Sequence, residues 1–327
     1  MLFTNEIEKI GYISRSVPED IDLKHEIATL KKAKNAIILA HYYVPASIQT
    51  IADFVGDSLA LAQASKEVKA DIIVFCGVHF MAETAKILNP NTIVLIPDLN
   101  AGCSLADSVT EADFWAFKQL HPNALVVSYI NSSAAIKAMS DYICTSSNAA
   151  KIVKALPPHR DIIFAPDKNL GVYVQRITGR KLILWEGACI VHINISLEKL
   201  EELMDAHPQA VLIAHPECSS EILTKADFIG STNALIEYVV QSEHTSFIVA
   251  TEAGILHKMQ EAAPNKTLIP APSVERNTCA CSECPYMKMN TLEKVYNCLQ
   301  YELPKITIEP AIQIGALKAL TNMLSIK

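Results

Sequence analysis

The chain repeats itself. Three segments, Asn35-AIILAHYY, Asn123-ALVVSYIN and Gln209-AVLIAHPE, begin 88 and 86 residues apart, and each is a short apolar run ending on a polar ring: His41, Tyr129 and His215. A recurrence of this length restricts the fold to copies of one supersecondary unit. Twelve residues after each ring stands an aspartate (Asp53, Asp141, Asp227), and seventeen after it a small hydroxyl residue (Ser58, Ser146, Thr232), within the strings ADFVGDS, SDYICTSS and ADFIGST. The second halves align as well. DIIVFCG (71–77), DIIFAPD (161–167) and SFIVATE (246–252) read as second strands. TIVLIPD (92–98), KLILWEG (181–187) and KTLIPAP (266–272) read as third strands. Apolar helical stretches such as 80–88 and 255–263 lie between them.

Short apolar strands alternating with helices imply parallel sheets with right-handed crossovers. The expected fold class is α/β: three similar three-layer αβα domains with parallel sheets, arranged with pseudo-threefold symmetry around a central site. The boundaries fall at 1–107, 108–195 and 196–300, with a C-terminal helix in 301–327 packing on the first repeat. Residues 20–34 read as an N-terminal helix, and Pro310 suits the first position of the last one. Parallel α/β units collect ligands at the carboxyl ends of strands and the N-termini of the following helices. The three rings end strands and the three hydroxyls open helices, so one shared site would gather all six. Ordinary helix capping is the competing account of the hydroxyls.

Composition narrows the function. Hydrophobic residues make up 50% of the 327 and charged residues 19%, yet no apolar run approaches the ~18 residues of a membrane span. The opening MLFTNEIEKI lacks the basic-then-apolar order of a signal peptide, so a cytoplasmic enzyme is expected. A net charge of −7 argues against nucleic acid as partner. Anionic substrates would have to be held by local donors. No GxGxxG or GxxxxGK[ST] string supports a nucleotide site.

Nine cysteines in such a chain suggest metal or redox chemistry. Cys103, in NAGCSLAD, and Cys189, in EGACIVH, each follow a third strand, 86 residues apart, in register with the repeat. The third repeat ends in CACSECPYMKMN, with Cys279, Cys281 and Cys284. Three thiolates without a fourth would leave one iron of an iron–sulfur cluster open to act as a Lewis acid, with a zinc site of three cysteines and water as the competitor. Cys76, Cys144, Cys218 and Cys298 follow no pattern and read as structural.

These strings resemble the quinolinate synthase family over nearly the whole chain, from HYYVPASIQTIADFVGDSLALA (41–62) and CGVHFMAETAKILNP (76–90) through PDLNAGCSLAD (97–107), VVSYINSSAAIKAMSDYICTSSNA (126–149), FAPDKNLG (164–171), WEGACIVH (185–192) and HPEC (215–218) to CPYMKMNTLEK (284–294). The resemblance implies a transferase of NAD biosynthesis. It would condense iminoaspartate with dihydroxyacetone phosphate around a central [4Fe–4S] cluster, with an L-aspartate oxidase as a source of iminoaspartate. By family motif the ligands are Cys103, Cys189 and Cys284, although repeat spacing favours Cys279 as the third. The redox role of Cys279 and Cys281 stays open. His41, Tyr43, Tyr129, Asn131, His192, His215 and Glu217 would line the cavity. Ser58, Ser146, Ser231 and Thr232 would bind anionic groups, Glu217 would act as general base, and Tyr43 and His215 would assist proton transfer. Another cluster-dependent hydro-lyase of small acids, or a non-enzymatic iron–sulfur or zinc sensor, is the alternative.

Overall fold

The computed structural model describes residues 4–18, 20–274 and 282–326. It divides into two compact units. One comprises the residues up to Cys103 with Pro285–Leu317, the other Ser104–Cys284 with the residues from Lys318 onward. The first unit holds one four-stranded parallel sheet, built from β1 (Ala36–His41), β2 (Phe54–Gly56), β3 (Ile72–Cys76) and β4 (Ile93–Leu95) in the order β2-β1-β3-β4. The second unit holds two. These are β5 (Leu125–Tyr129), β6 (Tyr142–Cys144), β7 (Ile162–Ala165) and β8 (Ile183–Leu184), ordered β6-β5-β7-β8, and β9 (Val211–Ala214), β10 (Phe228–Ile229), β11 (Ser246–Ala250) and β12 (Thr267–Pro270), ordered β10-β9-β11-β12. All pairings within the sheets are parallel. The threefold recurrence in sequence is thus a recurrence in topology, and the α/β class with three parallel sheets stands.

The central strands are apolar on both faces because helices cover both faces of a parallel sheet. Every residue of β3, β7 and β9 is buried. In the third sheet, Leu212, Ala214, Ile248 and Ala250 pack with Leu200 and Ile222 of the flanking helices. In the second, Val126, Ile163 and Ala165 pack with Phe114 and Ile136.

Among the described residues each repeat carries four strands, not three. The additional strands β2, β6 and β10 have two or three residues each and lie inside the ADFVGDS-type strings, too short to show a period. The recurrent aspartates explain how they dock. The side chains of Asp53, Asp141 and Asp227 accept from the backbone N–H groups of Ile38, Val126 and Leu212 at 2.7, 2.8 and 2.9 Å. Their own N–H groups donate to the carbonyls of those same residues, at 2.9 Å in each case. The twelve-residue spacing therefore marks a clamp that fixes the edge strand beside the first strand.

Helix boundaries depart from expectation in three places. The N-terminal helix is Leu23–Ala33, because Asp22 accepts from the N–H groups of Lys24 and His25 and starts it there. A further helix, Thr4–Ile10, precedes it. The segment 301–327 is helical only over Pro310–Ser325, the preceding helix Leu292–Tyr301 ending at Glu302 with a positive φ of 55°. Ser58 and Thr232 do open helices, Ser58–Glu67 and Thr232–Gln241. Ser146 does not. Asn148 Oδ1 accepts from the Thr145 N–H at 2.7 Å and holds a turn there, so the helix begins only at Ala149. Among the described residues no helix is long and apolar enough to cross a membrane.

Candidate active site

The three rings sit where a parallel sheet presents them. His41 and Tyr129 are the last residues of β1 and β5, and His215 follows the last residue of β9. All three are buried. Two residues beyond each stands a second polar residue: Tyr43, Asn131 and Glu217. In two repeats the pair is joined in the same way. The N–H of Tyr43 donates to His41 Nδ1 at 3.2 Å, and that of Glu217 donates to His215 Nδ1 at 3.4 Å. An imidazole whose Nδ1 accepts carries its proton on Nε2 when neutral, which turns the N–H outward from the strand end.

Glu217 is the centre of the polar cluster in the second unit and is 3% exposed. The Tyr129 hydroxyl donates to its Oε1 at 2.5 Å. His192 Nδ1 lies 3.1 Å from Oε2, and His215 Nδ1 lies 3.8 Å from Oε1. The two imidazoles stack with centroids 4.9 Å apart. Each has an outer partner: His192 Nε2 meets Thr251 Oγ1 at 2.9 Å, and His215 Nε2–H donates to Ser146 Oγ at 3.2 Å. Asn169 donates its amide to the Glu217 carbonyl at 3.1 Å. Tyr129, Ser146, His192, His215 and Glu217 are thereby brought together from four separate stretches of chain.

The electrostatics separate the acids. Burial pushes the Glu217 carboxyl up, but His192, His215 and the Tyr129 hydroxyl outweigh it and hold the group at about 2. Burial pushes His215 down; Glu217 pulls it back and His192 pushes it further, leaving it at about 3, a neutral imidazole. Asp167, fully buried, is raised well above the carboxylate range by burial and by the Glu217 charge, with the N–H groups of Leu170, Cys189 and Asn169 pulling it back. Two neighbouring carboxyls are thus driven in opposite directions, Glu217 down and Asp167 up.

In the third repeat Ser231 caps its helix: Oγ accepts from the Ala234 N–H at 3.4 Å, and Thr232 is buried beside it. Gly230 brings this turn against β9, its N–H donating to the Ala214 carbonyl at 3.1 Å, where an added Cβ would stand 2.8 Å from Phe228. Capping was the competing reading of Ser58, Ser146 and Thr232, but the capping residues of the corresponding helices are Asp57, Asn148 and Ser231. In the first unit, His41, Tyr43 and Ser58 lie at the ends of β1 and β2. The His41 and Tyr43 rings meet edge to face at 4.4 Å. The PYMKMN string serves this end of the sheet: Lys288 Nζ donates to the Tyr43 carbonyl at 2.8 Å and Asn290 to the Gly77 carbonyl at 3.0 Å.

The cysteines fall into two classes. Cys76, Cys144, Cys218 and Cys298 are fully buried and burial pushes their thiols up, so they stay protonated, as structural cysteines do. Cys103, Cys189 and Cys284 are partly exposed. Cys103 and Cys189 each immediately precede a one-turn helix, Ser104–Asp107 and Ile190–Ile193. Cys279 and Cys281 lie outside the described residues.

Cys189, His192 and Glu217 offer ligand atoms within 4.8 Å of one another, a set able to hold a metal ion. Among the described residues of the second unit, two buried side-chain oxygens lack a hydrogen-bond partner: Asn131 Oδ1 and Asp167 Oδ2. Orphaned atoms of this kind are costly and point to a ligand that completes them. The donor set and the orphans together fit a metal-bearing centre that handles polar groups. Thr251, Asp167, Asn169 and Glu252 were not singled out from the sequence. Asp167 and Glu252 occupy one repeat position, at the ends of DIIFAPD and SFIVATE, and that alignment was the available signal.

The family described as quinolinate synthetase A protein matches residues 25–325 of the chain. The quinolinate synthase of Trichormus variabilis is 60% identical over 304 residues, covering 93% of both chains. That of Microcystis aeruginosa is 57% identical over 309 residues, 94% of this chain and 96% of its own. That of Trichodesmium erythraeum is 57% identical over 318 residues, 97% of both.

Proposed function

The chain belongs to the quinolinate synthetase A family, and on that premise we propose that it is a quinolinate-forming enzyme of NAD biosynthesis, a transferase that condenses iminoaspartate with dihydroxyacetone phosphate. The product forms with loss of phosphate and two molecules of water, and the atoms balance without an oxidant. The observation that carries the reading is Glu217: an ionised, buried carboxylate held by Tyr129 and His192 at the end of a strand, with the His215 ring beside it. A condensation with repeated dehydration needs such a fixed proton acceptor beside donors.

The cofactor we assign is a [4Fe–4S] cluster with Cys103, Cys189 and Cys284 as ligands. When bound it supplies Lewis acidity from one iron left without a thiolate. Glu217 is assigned the proton-accepting role, standing ionised in the resting site beside Tyr129 and His192. Its partner Tyr129, already hydrogen-bonded to it, returns the protons. Tyr43 is assigned a second acid/base role. His215 is neutral, so it contributes a polarised Nε2–H and not a cationic charge. We assign anion binding to the hydroxyls of Ser58, Ser146 and Thr232, with Ser231 at the helix start and His41, His192 and Asn131 as further polar contacts. Iminoaspartate would come from an L-aspartate oxidase.

A second reading is favoured by the closeness of Cys189, His192 and Glu217, which would suit a single zinc-like ion. Iron and sulfide analysis of protein purified without oxygen separates the two. About four of each per chain, lost on replacing Cys103, Cys189 or Cys284 with Ser, supports the cluster. Turnover of iminoaspartate with the triose phosphate tests the reaction, and no quinolinate from cluster-loaded protein refutes it. If Cys284→Ser keeps a full cluster and Cys279→Ser loses it, repeat spacing identified the third ligand.

A further inference from the structure

Two buried acids stand outside the proton-transfer roles above, at one repeat position. Glu252 lies two residues past β11 and is 1% exposed. Its Oε1 accepts from the backbone N–H of Cys284 at 2.9 Å, and its Oε2 from that of Gly254 at 2.6 Å. The N–H of Ala253 donates to the Ser282 carbonyl at 2.9 Å, and the Ser282 hydroxyl donates to the Ala271 carbonyl at 3.2 Å. The stretch Ser282–Cys284 is thereby tied to the carboxyl ends of β11 and β12. Asp167, two residues past β7, is the counterpart in the second repeat. It caps the helix Lys168–Thr178 through the Leu170 N–H at 2.7 Å, and the N–H of Cys189 acts on the same carboxyl. The first repeat has Gly77 at this position. There the backbone does the work, the N–H of His79 donating to the Ala101 carbonyl at 2.7 Å, two residues before Cys103.

Helix capping accounts for the bonds to Gly254 and Leu170 but not for reaching cysteines far along the chain. A buried carboxyl is costly, and a serine or asparagine would cap as well without that cost. What both acids share is the backbone of the cysteine that closes the repeat.

We propose that Glu252 and Asp167 are positioning residues for the iron–sulfur cluster, fixing the backbone that carries the Cys284 and Cys189 thiolates and, at Cys284, engaging the N–H that would otherwise be free to bond sulfur. This rests on the assignment of Cys189 and Cys284 as cluster ligands. Groups that orient metal ligands change metal affinity by roughly 10–100-fold when replaced. Charge and hydrogen bonds near the cluster set its potential.

Glu252→Gln sets an amide N–H against one of the two backbone donors and removes the negative charge. The cluster of anaerobically purified Glu252→Gln should be lost to an iron chelator about tenfold faster than that of the unsubstituted protein. Its reduction potential, followed by absorbance and electron paramagnetic resonance, should rise. The melting temperature of the chelator-stripped chain should stay near the unsubstituted value. Asp167→Ala, which removes both carboxyl oxygens in a separate loop, should show the same faster loss and carries the test should Glu252→Gln fail to fold. Equal loss rates and potentials in a protein that does hold a cluster overturn this inference alone. Faster loss that merely tracks a fall in melting temperature also overturns it, assigning the acids to the fold. Absence of iron and sulfide from the unsubstituted protein overturns the cluster assignment together with it.

Discussion

Replacing Glu217 with Gln separates catalysis from packing, because the structure sets opposing effects on stability and one effect on turnover. The carboxylate meets the Tyr129 hydroxyl at 2.5 Å on one oxygen and His192 Nδ1 at 3.1 Å on the other. Glutamine keeps one acceptor and presents an amide N–H to the second partner, so about one charge-assisted contact is lost, worth roughly 1.5–3 kcal/mol. Against this, a buried charge is removed, and with it the field that pushes Asp167 up. The two nearly offset, and the melting temperature should move by no more than about 4 °C. Turnover has no such compensation: without a proton acceptor it should fall by about 10²-fold or more, with the cluster intact and binding of anionic substrate equal or tighter, since a like charge is gone. Cluster content, melting temperature and single-turnover rate are measured on one preparation. Near-normal turnover with a full cluster would remove Glu217 from the chemistry and leave Tyr43 and the histidines. A large loss of melting temperature with normal rate per folded molecule would make it a packing residue.

Three further outcomes are expected. Asp227→Ala leaves the Leu212 N–H without its carboxylate acceptor at 2.9 Å and should cost about 1–2 kcal/mol in urea unfolding while the rate per folded molecule holds; unchanged stability would refute the clamp. Ser146→Ala and Thr232→Ala should each weaken binding of a dicarboxylate analogue about tenfold at unchanged cluster content, and unaltered affinity in both would reduce these hydroxyls to local structure. Because burial holds His215 at about 3, the unfolded chain takes up a proton below pH ~6.5 that the folded one refuses; this group's effect on stability is therefore absent above that pH and grows unfavourable as pH falls toward 3, by about 1.4 kcal/mol per pH unit. Glu217 acts later, its stabilisation lost only as pH falls from the usual carboxylate range through about 2. Urea midpoints of metal-stripped protein between pH 7 and 5 should fall more steeply for the unsubstituted chain than for His215→Asn, and parallel slopes would contradict the assignment.

What the sequence determined by itself is whatever depends on local order. Apolar runs that recur at a fixed interval must become equivalent strands, so the three sheets, and the rings that end their first strands, were legible from His41, Tyr129 and His215. The same logic found Cys103 and Cys189 in equivalent turns and separated them from the fully buried Cys76 and Cys144. Spacing identifies equivalence but not role. Asp53, Asp141 and Asp227 carried as regular a signal as the rings, and they proved to clamp short edge strands whose two or three residues hold no period. Only the tertiary structure decided which atoms meet. Glu217 finds Tyr129 across 88 residues of chain and Glu252 finds Cys284 across 32, and neither pairing leaves a trace in any local window. The charge states followed from that closure: a carboxyl near 2, an imidazole near 3 and a raised carboxyl at Asp167 are set by burial and by neighbours. Both exist only once the separate strand ends of the fold have been brought together and water has been excluded from between them.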